Sequence, residues 1–348
     1  MSPEEEYEFE RSMKNRPHVV ILGAGATMAS IPNGDKNGRK SSVMNGFIEA
    51  LGMTDILKDA KLETQSNNLE DIYSELYDNE NYSEIRKELD KRIRNYFSKL
   101  ELPEEVNIYD LLLLSLKGKD LIATFNWDPL LLQAYQRACR ITRDLPDLAF
   151  LHGNVLVGYC RNHKYGGILS QQCAKCNEPF SPVPLLYPVT HKNYSTDPYI
   201  NDNWKALKNK LRRAYIVTIF GYSAPNTDKE AISIMEETWG DLNNRYLEDI
   251  EIIDIQDEDK LISSWRNFIH SHHYKICNDF FSSSLAKNPR RTTVEFFDRT
   301  MNAMFTKSLR SFVPNMSWGA VKTLISELLE EEDQLPPDGI LVTHAHTI

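Results

Sequence analysis

Five short apolar runs, separated by stretches of helical periodicity, constrain the fold of this chain more than any other feature. The first, His18-Val19-Val20-Ile21-Leu22, breaks at Gly23. Runs at 120–125, 148–151, 215–220 and 250–255 follow, leading into Asn126, His152-Gly153, Gly221-Tyr222-Ser223 and the acidic Asp257-Glu258-Asp259. A run without polar alternation reads as a parallel strand covered by helices on both faces. Between them, Leu69, Ile72, Tyr73 and Leu76, then Ile85, Leu89, Ile93, Tyr96 and Phe97, recur at helical spacing. The pattern also predicts helices over 108–116, closed at Lys117-Gly118, and over 130–140, with Pro129 in its first turn. Two more are expected at 293–312 and 318–328, with a loose acidic end beyond 329. Strands alternating with helices, with glycine and polar residues at the strand ends, predict an α/β chain. Its core is a Rossmann-like open parallel sheet with helices on both faces and a crevice beyond the strand ends.

Residues 159–199 break this rhythm. They are rich in Pro, Gly, Cys and Asn and contain Cys160-x2-His163 and Cys173-x2-Cys176. Two chelating pairs of thiolate and imidazole ligands suit tetrahedral zinc with no open position, a structural site; the alternative is a coincidence of cysteines. The predicted organisation is a main domain over 1–158 and 200–285 with a helical insertion at about 54–116, a zinc-binding module over 159–199, and a helical C-terminal extension over 286–348. His270, His272 and His273, followed by Cys277, lack paired spacing and read as helix or loop surface. Cys139 and Cys277 have no ligand context and are expected to be buried.

At 348 residues the chain exceeds the usual size of one hydrophobic core. A formal net charge of −10 opposes broad nucleic-acid or anionic-membrane binding. The basic residues Lys205, Lys208, Lys210, Arg212 and Arg213 read as the solvated face of a helix. No stretch reaches the roughly 18 apolar residues of a membrane span, and residues 1–16 lack the apolar segment of a secretory signal. Five cysteines without a disulfide framework suit a reducing cytoplasm.

The candidate site gathers at the predicted strand ends. Gly23-x-Gly25 is part of a dinucleotide fingerprint, with Met28 at the third glycine position. It reads either as a turn whose amides hold a pyrophosphate or as a tight strand-to-helix turn without a ligand. Asn126 and Asp128, two apart, point to the same side in extended backbone. Asp128 is also well placed to cap the helix after Pro129. His152 lies at the same rim, as a base or as a satisfied structural histidine.

The order Gly23-Ala24-Gly25-Ala26-Thr27, Thr124-Phe125-Asn126-Trp127-Asp128, His152-Gly153, the paired Cys/His ligands and Ile219-Phe220-Gly221-Tyr222-Ser223 resembles the sirtuin family. It is most similar to the divergent sirtuin-like NADase branch of bacterial anti-phage defence proteins. The resemblance spans about 18–257. It implies NAD+ as substrate, structural Zn2+, contact of Gly23, Ala24, Gly25, Ala26 and Thr27 with phosphates and ribose, and further cofactor contacts at Thr124, Gly221, Tyr222 and Ser223. Asn126, Asp128 and His152 are implied as the catalytic set. Leaving nicotinamide is neutral, so cleavage needs no general acid; it needs a polar clamp and a base for water. The implied activity is NAD+ glycohydrolysis to nicotinamide and ADP-ribose, with depletion of NAD in defence. A homo-oligomer and a phage-triggered or partner-protein activator are implied with it, and neither nucleic acid nor membrane is an expected partner. An NAD-dependent protein deacylase and a non-catalytic NAD or ADP-ribose sensor are the alternatives. Two departures bear on the choice. Where deacylases pair an extended peptide, this chain reads Val183-Pro184-Leu185-Leu186-Tyr187-Pro188, and prolines remove ladder donors. The insertion at 228–245 and the helical block at 54–100 resemble the defence branch more than the deacylases, whereas the full zinc quartet points the other way. Separately, after Ile31-Pro32 the cofactor-loop continuation that the resemblance implies is replaced by Asn33-Gly34-Asp35-Lys36, with Arg39 as a substitute for the lid contacts.

Overall fold

The computed structural model describes residues 2–40, 47–60, 62–64, 66, 68–187, 194–224, 228–241, 243, 245, 247–269, 274–305, 310–336 and 339–341. The histidines at 270, 272 and 273 and the C-terminal residues from 342 lie outside them. Among the described residues no helix is long and apolar enough to cross a membrane.

Six strands form the main sheet: β1 (His18–Leu22), β2 (Leu121–Thr124), β3 (Asp147–Phe150), β7 (Ile216–Phe220), β8 (Asp249–Ile253) and β9 (Tyr274–Cys277). Three more, β4 (Val157–Cys160), β5 (Tyr165–Ile168) and β6 (Ser181–Pro182), make a separate antiparallel sheet in the order β5-β4-β6. The main sheet runs β3-β2-β1-β7-β8-β9, with every pairing parallel. This is the doubly wound Rossmann order. Parallel neighbours need crossover connections, so helices cover both faces, and the order reverses between β1 and β7.

Double coverage is why the strands read as uninterrupted apolar runs. Every residue of β1, β2 and β7 is buried, and so are Ile250 to Ile253 of β8. Register then fixes where the chain emerges. Leu22 pairs with both Thr124 and Phe220, Thr124 with Phe150, and Phe220 with Ile253. Gly23, Phe125, Leu151 and Gly221 therefore leave the sheet at one rim, each still donating its amide to the neighbouring strand at 2.9–3.0 Å.

Three sequence expectations are corrected. β9 was not anticipated: it is four residues long, carries Lys275 and lies at the sheet edge. The helix expected over 293–312 spans Thr292–Met301, because Ala303 enters the left-handed region (φ 52°) and Met304 N–H returns to Asp298 O at 2.9 Å. Cys139 is half-buried, whereas Cys277 is buried as expected. The C-terminal helix (Trp318–Asp333) holds to the core through Glu332, which accepts from Arg290, Arg291 and Lys117. At the other terminus the Pro3–Lys14 helix, capped by a Ser2–Glu5 capping box, sends the buried Lys14 ammonium to buried Asp298 at 2.6 Å.

His18, at the foot of β1, is fully enclosed between Thr218 Oγ1 (2.8 Å) and Thr292 Oγ1 (2.9 Å). Burial lowers its pKa from 6.5 to about 4, against the opposing pull of Asp120 and Glu251. The unfolded chain therefore binds the extra proton first. The stability His18 confers is present above pH 6.5 and is lost as pH falls toward 4, up to about 3 kcal/mol. The melting temperature should fall across that window, and a His18→Gln variant should show a flatter dependence.

Candidate functional site

At the point where strand order reverses, β1 and β7 stay paired to their last residues and their exits pack backbone on backbone. Gly25 N–H donates to Gly221 O at 2.8 Å, and a side chain at Gly23 would stand 2.5 Å from Gly221 O and 2.6 Å from Tyr222 Cα. Gly221 has φ 60°, where a β-carbon would strike Ala26 N and Gly25 C. The helix after β1 (Ala24–Ser30) starts in this contact, with Ala24 exposed and Ala26 and Thr27 buried.

Thr27 joins that helix to the end of β2. Its hydroxyl donates to Asp128 Oδ2 at 2.7 Å, and it accepts from Asn126 Nδ2 at 3.0 Å and from the Tyr109 hydroxyl at 2.9 Å. Asn126 Nδ2 also donates to Gly23 O at 2.8 Å, and its backbone amide donates to Thr124 Oγ1 at 3.0 Å. Both Asp128 oxygens are engaged, since Leu130 N–H reaches Oδ1 at 3.0 Å, as the capping expectation required. Burial pushes the Asp128 carboxyl above its usual range, and the Thr27 and Leu130 donors act against that. The amide donors of Asn126 are taken by the fold, which leaves its Oδ1 as an acceptor. Thus the structure joins Asn126, Asp128 and Thr27, with Thr124 shaping the turn beneath them.

His152 sits one strand further out. Its ring meets Phe125 edge-on at 4.7 Å, and Phe125 in turn stacks on Tyr222 at 4.3 Å. His152 Nε2 lies 3.4 Å from the Tyr194 hydroxyl and 3.9 Å from Asp228 Oδ1, and Asp228 also accepts from the Tyr222 hydroxyl at 2.9 Å. Tyr222 is therefore an inward wall of the site, while Ser223 is exposed at its rim. Arg39 donates to Lys99 O at 2.6 Å and lies 3.6 Å from Asp35. Tyr109, Tyr194 and Asp228 were not anticipated. Tyr109 carried a signal, a hydroxyl inside an otherwise leucine-rich helix; the other two reach His152 from distant segments.

Residues 183–187 close the outer side. Leu186 N–H donates to His152 O at 2.9 Å, and Arg94 Nη2 donates to Val183 O at 2.8 Å. Tyr187 stacks on Tyr73 at 4.3 Å and meets Trp127 edge-on at 5.2 Å. The helices Leu69–Asp78 and Ser83–Phe97 thus lie against residues 183–187.

The four zinc-ligand candidates converge. All their ligand atoms lie within 4.8 Å of one another. Cys160 Sγ is 3.6 Å from His163 Nδ1 and 3.8 Å from Cys176 Sγ, and Cys173 Sγ is 3.7 Å from the same imidazole nitrogen. A tetrahedron with bonds of about 2.0–2.3 Å has edges of about 3.3–3.8 Å, so three sulfurs and one nitrogen fit Zn2+ with no place for substrate. Donation from the Lys175 amide holds the Cys173 thiol down at about 6, which favours the thiolate a metal needs. Beyond Phe180 this module has little apolar filling, so metal supplies much of its order. Purified protein should carry about one zinc per chain. Cys173→Ser should lose it and make residues 157–182 sensitive to protease, read by zinc content and limited proteolysis.

No protein-family profile matches the chain, and no curated protein matches it. Among solved structures it is similar to Sir2 bound to acetylated peptide (16% identity, 87% of this chain and 98% of that one, TM-score 0.35). It is also similar to Sir2 with a p53 peptide and NAD+ (16%, 87% and 98%, TM-score 0.34). A third is a structure described as the basis for the mechanism and regulation of Sir2 enzymes (12%, 87% and 100%, TM-score 0.39). At these identities and scores the likeness carries no weight for the chemistry of this chain.

Proposed function

We propose that this chain is an NAD+ glycohydrolase: water attacks the anomeric carbon of the nicotinamide ribose, giving nicotinamide, ADP-ribose and a proton. The observation that carries this reading is the convergence, at the reversal point of a doubly wound sheet, of the glycine turn, the Asn126–Thr27–Asp128 cluster and His152. Open α/β sheets bind ligands there. In this reading the pyrophosphate approaches the backbone of Gly23, Ala24 and Gly25 with Gly221 and Ser223 opposite. Asn126 Oδ1 accepts from the nicotinamide carboxamide. Asp128 acts through Thr27, holding the glycine turn and the end of β2 in one geometry. His152 takes the proton from water, oriented by Asp228 and Tyr194. No group is required to protonate nicotinamide, because breaking the bond neutralises the pyridinium.

Hydrolysis is favoured over protein deacylation by the cover on residues 183–187. Peptide recognition by strand addition needs free backbone donors and acceptors along an edge. Here Pro184 has no N–H, Arg94 takes Val183 O, and Leu186 N–H is bonded to His152 O. A role in anti-phage NAD depletion, a homo-oligomer and a triggering partner rest on the sequence resemblance alone. A cytoplasmic location rests on cysteines that form no disulfide. The test is nicotinamide release from NAD+ with and without an acetyl-lysine peptide. Release without peptide supports the proposal; strict peptide dependence overturns it in favour of deacylation, and binding without turnover in favour of a sensor.

A further inference from the structure

A second cavity lies at the opposite end of the sheet, where Ile216, Asp249 and Tyr274 begin β7, β8 and β9. It has a volume of about 530 Å3 and is walled on its far side by the Thr292–Met301 helix. Its lining is charged and the charges are mixed. Glu251 is consumed by the fold, accepting from Lys275 at 3.1 Å and from the Ser284 amide at 2.7 Å. Asp249 is different. It is half-buried, and among the described residues its carboxylate meets the Ile250 backbone amide but no side-chain donor; burial and then the neighbouring Glu251 raise its pKa to about 7. Arg299 and Lys275 offset this only at a distance. Keeping an ionisable group in such a place costs stability, and a cation entering the cavity would recover it.

The opposite sign is offered on the same wall. Arg299 uses Nε for Glu295 at 2.9 Å and lies over the Phe296 ring at 5.4 Å. Among the described residues its two Nη groups meet no acceptor, and a guanidinium can hold a carboxylate in bidentate fashion. Lys287 and Asn288 complete that side. We propose that this cavity binds a small amino acid-like zwitterion, its ammonium on Asp249 and its carboxylate on Arg299. The site is separate from the NAD+ crevice and does not depend on the reading of that crevice.

Titration calorimetry on the full chain tests this with two probes, L-lysine and 1,5-diaminopentane, which shares the ammonium but lacks the carboxylate. Saturable L-lysine binding is expected at micromolar to millimolar concentration. It should weaken about 10-fold or more in Asp249→Asn and in Arg299→Gln, while the diamine responds to the Asp249 change alone. The unliganded Asp249→Asn protein should melt no lower than the parent, which separates a binding role from a structural one. If Asp249→Asn fails to fold, Arg299→Gln decides, since the Arg299 side chain is partly exposed. Absence of saturable binding by L-lysine, or binding unchanged in the variants, overturns the proposal. Diamine binding as tight as that of L-lysine overturns its carboxylate half.

Discussion

Replacing His152 by Ala is expected to lower nicotinamide release from NAD+ by about 10²–10⁴-fold, the usual contribution of a positioned base, with little change in KM. The ring is packed between Phe125 and Tyr194, so its loss leaves a cavity as well as a missing base. Asp228→Asn separates the two effects. It keeps the volume and the hydrogen bond to Tyr222 but removes the charge 3.9 Å from Nε2. A fall in kcat at unchanged melting temperature is the expected result. Asn126→Ala should instead act on both kcat and KM, because it frees the glycine turn as well as removing the carboxamide acceptor. Full activity in either His152→Ala or Asn126→Ala would sink the site assignment.

Gly221→Ala should be among the most damaging single methyl additions at the site. At φ 60° an alanine costs about 1–2 kcal/mol, and the added carbon would also meet Ala26 N, Gly25 C and Gly25 Cα, the last at 2.6 Å. These are backbone atoms of a helix start that is itself bonded to Gly221 O, so they cannot turn aside. A loss of more than about 3 kcal/mol is expected, seen as a drop of several degrees in melting temperature together with loss of NAD+ binding. Gly38→Ala is the control: it shares a positive φ (74°) but has nothing within 4 Å, so it should lose only the conformational part.

Four of the six parallel strands and the crevice they define were legible because burial on both faces leaves a plain apolar run ending in a turn signal. β3 was legible to within a residue, as β2 and β7 were, although its first residue, Asp147, is exposed. β9 was invisible, because Tyr274-Lys275-Ile276-Cys277 looks neither apolar nor alternating. The end of the Thr292–Met301 helix was also unmarked. Asn302-Ala303 carries no glycine or proline, and the turn is set by a return bond to Asp298. At the site, Asn126, Asp128 and His152 could be read from their positions after strands. Tyr194 and Asp228 could not, because tertiary packing alone brings them to the imidazole. Of the basic cluster, Lys205, Arg212 and Arg213 are exposed on and just beyond the Pro198–Leu211 helix, whereas Lys208 and Lys210 are half-buried and Lys210 donates to Lys119 O at 2.9 Å.

The contact between Lys14 and Asp298 bears on how the chain can be handled. Removing the first helix for expression would take away the cation that balances a carboxylate shut off from water, away from the rim where β1 and β7 end. Trimming residues 3–14 should therefore weaken the body of the protein itself, and affinity tags belong ahead of that helix and never in its place.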